Sequence, residues 1–219
     1  DHNVLIEIMK DRIADDRFLR LIRKFLNAGY MEEWQFNKTY SGTPQGGIIS
    51  PILANIYLDK FDKYMDEYAN KFNKGTARSR NKDICKLNSR VHYLKRRINE
   101  VEDVNVRTRM VEELHEKQKL ILTMPSGNDM DVNFRRLKYV RYADDFLIGV
   151  IGTKNECETI KADITKFMQE KLRLEMSQEK TLITNAQDSA KFLGYEIYVR
   201  KDYATKRNSN GTVRRYFNG

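Results

Sequence analysis

One run of residues constrains this chain more than any other: Tyr139-Val140-Arg141-Tyr142-Ala143-Asp144-Asp145-Phe146-Leu147-Ile148-Gly149-Val150. It is apolar, β-branched and aromatic, and two adjacent carboxylates break it. That composition predicts strand, tight turn, strand, with the aspartates at the turn. Neighbouring side chains on extended backbone point to opposite faces, so two like charges kept together need a turn, and a cation to offset their repulsion. A hard divalent ion held by oxygen ligands suits them, Mg²⁺ foremost. A hairpin whose Asp-Asp only supplies turn chemistry fits the same residues equally well. The choice between the two rests on the remainder of the chain.

A second informative stretch is Ser41-Gly42-Thr43-Pro44-Gln45-Gly46-Gly47-Ile48-Ile49-Ser50-Pro51, a glycine-rich loop leading into a helix. Ser50 is the expected N-cap and Pro51 the first helical residue. From there Ile52, Leu53, Ile56, Tyr57, Phe61, Tyr64, Met65 and Tyr68 recur at helical spacing, while Asp59, Lys60, Asp62, Lys63 and Glu67 fall on the opposite, solvent side. Gly42, Gly46 and Gly47 leave room for a substrate against the backbone, and Gln45 offers both a donor and an acceptor. A plain loop before a core helix would look the same.

Taken together, the two stretches resemble the reverse transcriptases encoded by group II introns. SGTPQGGIISPILANIYLDKFD (residues 41–62) is similar to that family's template- and nucleotide-binding motif, and YVRYADDFLIGV to its catalytic motif in the palm. The likeness continues in the same order through LRLEMSQEKTLI (172–183) and AKFLGYEI (190–197). A series of motifs is far more specific than any one alone. The resemblance covers roughly residues 1–200, the middle matched in position more than in sequence.

Charge agrees with a nucleic-acid partner. The chain has 40 Lys and Arg against 31 Asp and Glu, a net charge of +9, which favours a polyanion. A ribosomal or chromatin protein would carry the same excess, so charge narrows the partner without naming the chemistry. A mean hydropathy of −0.70, with no apolar run approaching the ~18 residues of a membrane span, predicts no membrane partner. Cys85 and Cys157 show neither metal-ligand spacing nor a disulfide framework, which suits a reducing, cytoplasmic compartment, and the family resemblance suggests a bacterial one. His2, His92 and His115 are scattered and have no expected catalytic role.

Positive charge concentrates between Lys71 and Lys119, with 14 Lys and Arg against 7 Asp and Glu. Lys95-Arg96-Arg97 is its densest point. Leu87, Val91, Leu94, Ile98 and Val101, then Val106, Met110, Val111 and Leu114, follow helical spacing and predict a helical hairpin joined through Glu102–Asn105. Contact with RNA phosphates, an interface with a second copy as a homodimer, and a solvated helix pair all remain open for it. Lys71–Asp83 reads as a mobile loop. Elsewhere, helices are expected over Asn3–Ile13 and Asp16–Asn27, the latter with Phe18, Leu19, Ile22, Phe25 and Leu26 on one stripe and Gly29 closing it. Trp34, Phe36 and Tyr40 suit an extended segment. A Thr153/Glu156 capping box opens a helix that carries Cys157, Ile160, Ile164, Phe167 and Met168 inward.

The expected fold class is α+β: a right-hand polymerase palm in which a short antiparallel sheet with the Asp-Asp hairpin packs on helices, plus the inserted helical hairpin. The expected division is 1–70 for palm and fingers helices with the substrate-binding loop, 71–125 for the basic insertion, 126–200 for the catalytic and primer-grip hairpins, and 201–219 for a basic tail. The tail, with Arg200, Lys201, Lys206, Arg207, Arg214 and Arg215, reads as either an RNA-facing linker or a disordered end.

The resemblance implies residue roles. Asp144 and Asp145 would bind two Mg²⁺ ions, with Asp144 touching both, and Tyr142 and Ala143 would floor the primer end. Pro44, Gln45 and Gly46 would contact the incoming nucleotide or the template, Lys180 the nucleotide phosphates, and Phe192, Leu193, Gly194 and Tyr195 the primer. Lys95, Arg96 and Arg97 are candidates for RNA contact. The implied partners are RNA template or intron RNA, DNA primer and dNTPs. A further aspartate of the family's site precedes an Ile-Asp-His segment, whose tail resembles Asp1-His2, so that carboxylate is expected upstream of Asp1. A maturase that binds and stabilises intron RNA without catalysis is the alternative, as is a retron or CRISPR-associated reverse transcriptase.

Overall fold

A computed structural model describes residues 1–32, 35–37, 42, 48–128, 131–199, 205–209, 211 and 213–215. Its backbone divides into two compact units: Asp1–Lys74, Arg135–Thr184 and Lys191–Tyr195 form the first, and Gly75–Phe134, Asn185–Ala190 and Glu196–Gly219 the second. Mixed helices and small antiparallel ribbons make the chain α+β.

The first unit opens with α1 (His2–Lys10), whose first turn is capped by the Asp1 carboxylate through the Asn3 and Val4 amides. The helix ends at Lys10 rather than Ile13, because the Arg12 and Ile13 amides both turn back to the Met9 carbonyl. Asp15 caps α2 (Asp16–Asn27), and Gly29, at φ 74°, turns the chain away. Only Leu19, Ile22 and Leu26 of its expected stripe are buried, whereas Phe18 and Phe25 are exposed, Phe25 at 55%. These two lie about 100° around the helix from the buried line, outside the width α2 shares with the core. β1 (Tyr30–Glu32) pairs antiparallel with β2 (Gln35–Asn37), so Phe36 lies on extended backbone; Trp34 and Tyr40 fall outside the described residues.

The centre of the unit is α3 (Ser50–Phe72). Ser50 is its first residue, not its cap: Ile49 holds the N-cap without a side-chain bond. The Leu53 amide is already taken by the Ile49 carbonyl at 3.1 Å, which removes the target a Ser50 cap would need. Leu53, Tyr57, Leu58, Phe61 and Met65 are buried, but Ile52 is 61% exposed and leaves the expected core stripe. Asp62, expected in solvent, is half-buried and turns toward the ribbon.

That ribbon is β3 (Arg136–Tyr142) with β4 (Asp145–Ile151), paired from Arg136↔Ile151 to Tyr142↔Asp145. Period-2 alternation turns Leu137, Tyr139, Phe146, Ile148 and Val150 toward α3. Phe61 receives the edges of Tyr139 and Phe146 at 5.3 Å each. α6 (Lys154–Leu172) starts on the expected Thr153/Glu156 capping box and buries Ile160, Ile164, Met168 and Leu172. Phe167 stacks on Tyr64 at 4.0 Å, and the Tyr68 hydroxyl donates to Asp163 at 2.7 Å. Arg135 reaches the Glu156 carboxylate at 2.8 Å, which ties the start of β3 to the cap of α6. β5 (Ala190–Phe192) and β6 (Tyr195–Ile197) form a ribbon closed by Leu193 and Gly194, at φ 52° and 80°.

In the second unit, α4 (Lys82–Arg97) packs along α5 (Val104–Thr123) through a line that includes buried Ile84 and Leu94. No residue of α5 is fully buried, and Val106 is exposed rather than inward as its spacing suggested. A lone helix pair buries too little to cover both members. The expected mobile loop is pinned instead: Arg80 bridges to Gly127, and buried Asp131 accepts the Ser79 and Asn133 amides at 2.7 and 2.9 Å. Gly75, at φ 74°, is required there, since a Cβ would meet the Asn133 carbonyl oxygen at 2.4 Å. The basic tail contains a hairpin, β7 (Thr205–Arg207) with β8 (Val213–Arg215). Its cause is local turn chemistry, with Gly211 at φ 77° and its amide bonded to the Asn208 carbonyl at 2.9 Å. Among the described residues, no helix is long and apolar enough to cross a membrane.

Candidate active site

Because Tyr142 pairs with Asp145, the β3–β4 turn consists of Ala143 and Asp144 alone. Two-residue hairpin loops demand positive φ, which usually selects glycine. Here Ala143 carries it, at φ 53°. A side chain in that region costs about 1–3 kcal/mol and persists only where its surroundings impose the conformation.

The imposing group is Arg141. Its Nη1 donates to the Ala143 carbonyl at 2.6 Å and to Asn55 Oδ1 at 3.1 Å. Its Nε and Nη2 grip the two oxygens of Asp62 at 2.8 and 2.6 Å. The Tyr139 hydroxyl completes the group, donating to Asp62 Oδ1 at 2.8 Å. The Arg141 hydrogen bonds hold the Asp62 carboxyl below the usual carboxylate range. Burial, reinforced by Asp62, pushes the Tyr139 hydroxyl up. Asp62 therefore stays ionised and Tyr139 protonated across neutral pH.

The turn presents what this network holds. Asp144 occupies the tip, and Asp145 lies opposite Tyr142, on the ribbon face turned away from α3. Both carboxylates are exposed, and Tyr142 beside them is 67% exposed. Among the described residues, neither aspartate accepts a hydrogen bond or joins a salt bridge. Two adjacent carboxylates left without a countercharge fit a hard divalent cation by their donor chemistry. No third His, Cys, Asp or Glu gathers with them among the described residues. This still suits Mg²⁺, which characteristically takes one or two carboxylates and completes its shell with water and substrate phosphate.

Tyr142, Ala143, Asp144 and Asp145 thus converge on one turn. Pro44, Gln45 and Gly46 lie outside the described residues. Lys180 is exposed in a turn where its amide meets Ser177 Oγ at 3.4 Å. Phe192, Leu193, Gly194 and Tyr195 share the β5–β6 turn, with Tyr195 largely exposed. Among the described residues, no hydrogen bond or salt bridge joins Lys180 or that turn to the aspartates. Lys95, Arg96 and Arg97 occupy the exposed last turn of α4, where Arg97 also pairs with Glu100 at 3.0 Å. Sequence reasoning missed Asp62, Asn55 and the role of Arg141. The available signal was an arginine on the same alternating face of β3 as Leu137 and Tyr139, which must find a partner when that face is packed.

Residues 106–197 match the family described as reverse transcriptase (RNA-dependent DNA polymerase). The chain is 42% identical over 219 residues to group II intron-encoded protein LtrA of Lactococcus lactis subsp. cremoris, covering 100% of this chain and 36% of that protein. It is 38% identical over 219 residues to the putative COX1/OXI3 intron 1 protein of Saccharomyces cerevisiae, covering 97% of this chain and 24% of that protein. It is 27% identical over 161 residues to nuclear intron maturase 2, mitochondrial, of Arabidopsis thaliana, covering 74% of this chain and 18% of that protein. Residues 106–197 thus match the reverse transcriptase family, and the chain as a whole is similar to proteins encoded by group II introns. It spans about a third of the length of the first of these relatives, and less of the other two.

Proposed function

We propose that this chain is the catalytic region of an RNA-directed DNA polymerase that copies RNA into DNA by nucleotidyl transfer, in the service of group II intron retrohoming. The observation that carries the reading is the exposed, uncompensated Asp144-Asp145 pair on a turn held in a strained conformation. Asp144 would touch both metal ions and Asp145 would be the second protein ligand. When bound, two Mg²⁺ ions supply Lewis acidity toward the primer 3′-hydroxyl and toward the charge developing on pyrophosphate.

The chain's own residues do the positioning. Tyr142 offers an aromatic surface for the primer-terminal base pair, and the small side chain of Ala143 lets the primer approach the turn. Pro44, Gln45 and Gly46 would contact the nucleotide or template, Lys180 the leaving phosphates, and Phe192, Leu193, Gly194 and Tyr195 the primer strand. In this reading, residues 1–70 and 126–200 are fingers and palm, 71–125 is an insertion, and 201–219 leads toward a thumb.

A maturase role is the second reading, supported by Lys95, Arg96 and Arg97 on the exposed end of α4. Those side chains suit RNA phosphates, and homodimer formation through α4 and α5 is the competing use of the same surface. Primer extension by the complete protein on an RNA template with Mg²⁺ and dNTPs tests the polymerase reading. Template-directed DNA synthesis is expected, and a folded protein that binds RNA but extends nothing would leave the maturase reading in its place.

A further inference from the structure

Most of the guanidinium of Arg141 is buried, and three separate groups use its nitrogens. A partner for Asp62 alone would need only two of those nitrogens. The remaining Nη1 is spent on the Ala143 carbonyl, at the residue whose left-handed backbone defines the turn. Asp62 is in turn fixed by Tyr139 and by its place on α3, directly after the fully buried Phe61. The result is a rigid connection from the core helix through one side chain to the backbone beside Asp144.

We infer that Arg141 is a positioning residue: seated on Asp62, it clamps the Ala143 carbonyl and fixes the turn that presents Asp144 and Asp145. The inference rests on the polymerase reading for its catalytic consequence, but the clamp itself is a property of this chain. The role demands arginine, because a planar fork satisfies Asp62 at two points while a third N–H reaches the carbonyl. Lysine, a compact point charge, keeps the ion pair and loses the fork. Without the clamp, strain at Ala143 favours other turn geometries, and the carboxylates lose their fixed separation and direction.

The test uses the complete protein and the variants Arg141→Lys and Arg141→Gln, with three readouts: urea midpoint, hydrogen exchange at the Asp144 and Asp145 amides, and single-nucleotide primer extension. Arg141→Lys is expected to keep the parental urea midpoint, and its turn amides to exchange about tenfold faster as local opening becomes easier. Its kcat should fall by about 10²-fold, the scale of a small misplacement of catalytic groups, while KM for dNTP changes less than about threefold, the pattern of an interaction felt only in the transition state. Arg141→Gln, which also removes the countercharge of Asp62, should lower the urea midpoint and show larger changes in turn exchange and kcat.

Parental exchange rates at the turn in both variants overturn the clamp. So does parental kcat despite faster exchange, or a raised KM with kcat intact, which would make Arg141 a substrate contact. Loss of fold in Arg141→Lys assigns the residue to the core instead. A parent that extends no primer defeats the polymerase reading, and the exchange measurement then decides on the clamp by itself.

Discussion

Replacing Phe61 by leucine tests whether one ring joins the helix to the ribbon. Phe61 is 0% exposed. Tyr139 and Phe146 meet it edge-on at 5.3 Å, with interplanar angles of 82° and 66°, and Phe167 lies 6.3 Å away. Those neighbours come from β3, β4 and α6, so the ring binds three elements to α3. Leucine has about three fewer side-chain carbons, a loss of roughly 2.4 kcal/mol at ~0.8 per buried CH₂. The lost edge contacts add up to about 1 kcal/mol after neighbours relax. The expected cost is therefore about 3 kcal/mol, at the low end of the ~3–5 of truncation to alanine. For a chain of this size that lowers Tm by about 6–12 °C. Urea unfolding followed by far-ultraviolet circular dichroism measures it, with Phe25→Leu as the comparison. Phe25 is 55% exposed, and its variant should stay within ~0.5 kcal/mol of the parent. A Phe61→Leu cost below about 1 kcal/mol, or one equal to that of Phe25→Leu, would refute the shared core.

Acid should act through Asp62 and Glu156. Arg141 lowers the first carboxyl and Arg135 the second, so their folded-state pKa values lie below the unfolded ones. The stabilisation is fully present above the ordinary carboxylate pKa of about 4 and disappears as pH falls through the depressed values. Urea midpoints should be level from about pH 7 to 5 and fall below about pH 4, less steeply in Arg135→Gln; an equal slope there would remove Glu156 from the account. Alkylation should separate the cysteines: Cys85 is exposed, while burial pushes the Cys157 thiol up. Mass spectrometry of iodoacetamide-treated protein should find Cys85 labelled first, and equal rates would contradict the packing of α6. Replacing Lys95, Arg96 and Arg97 together by glutamine should flatten the dependence of log RNA affinity on log salt by up to about 2 units, at ~0.7 per lost phosphate contact. An unchanged slope would place RNA elsewhere.

Local chemistry was legible in the sequence wherever residues act on near neighbours. The Asp-Asp hairpin and the Thr153/Glu156 box need only near neighbours, and each stands where its pattern put it. The β7–β8 hairpin was equally local but went unread, its turn glycine overlooked among the tail's basic residues. Ile52, Phe18 and Phe25 show a different limit. Helical periodicity gives the direction of an apolar stripe but not how wide a neighbour covers it. Asp62 and Arg141 show a third limit. They lie 79 residues apart in sequence, and helical spacing alone sent Asp62 to solvent. Only the packing of β3 on α3 brings its carboxylate to the arginine that holds the turn.

The central claim is that Asp144 sits at the chemical centre of an RNA-templated polymerase. The direct measurement compares the complete protein with its Asp144→Ala variant, in one preparation each, for RNA affinity and for Mg²⁺-dependent extension of a DNA primer on RNA. The account predicts equal affinity and a loss of extension of at least about 10³-fold in the variant, the scale of removing a group on which the charge-stabilising chemistry depends. Extension at the parental rate by Asp144→Ala would contradict it.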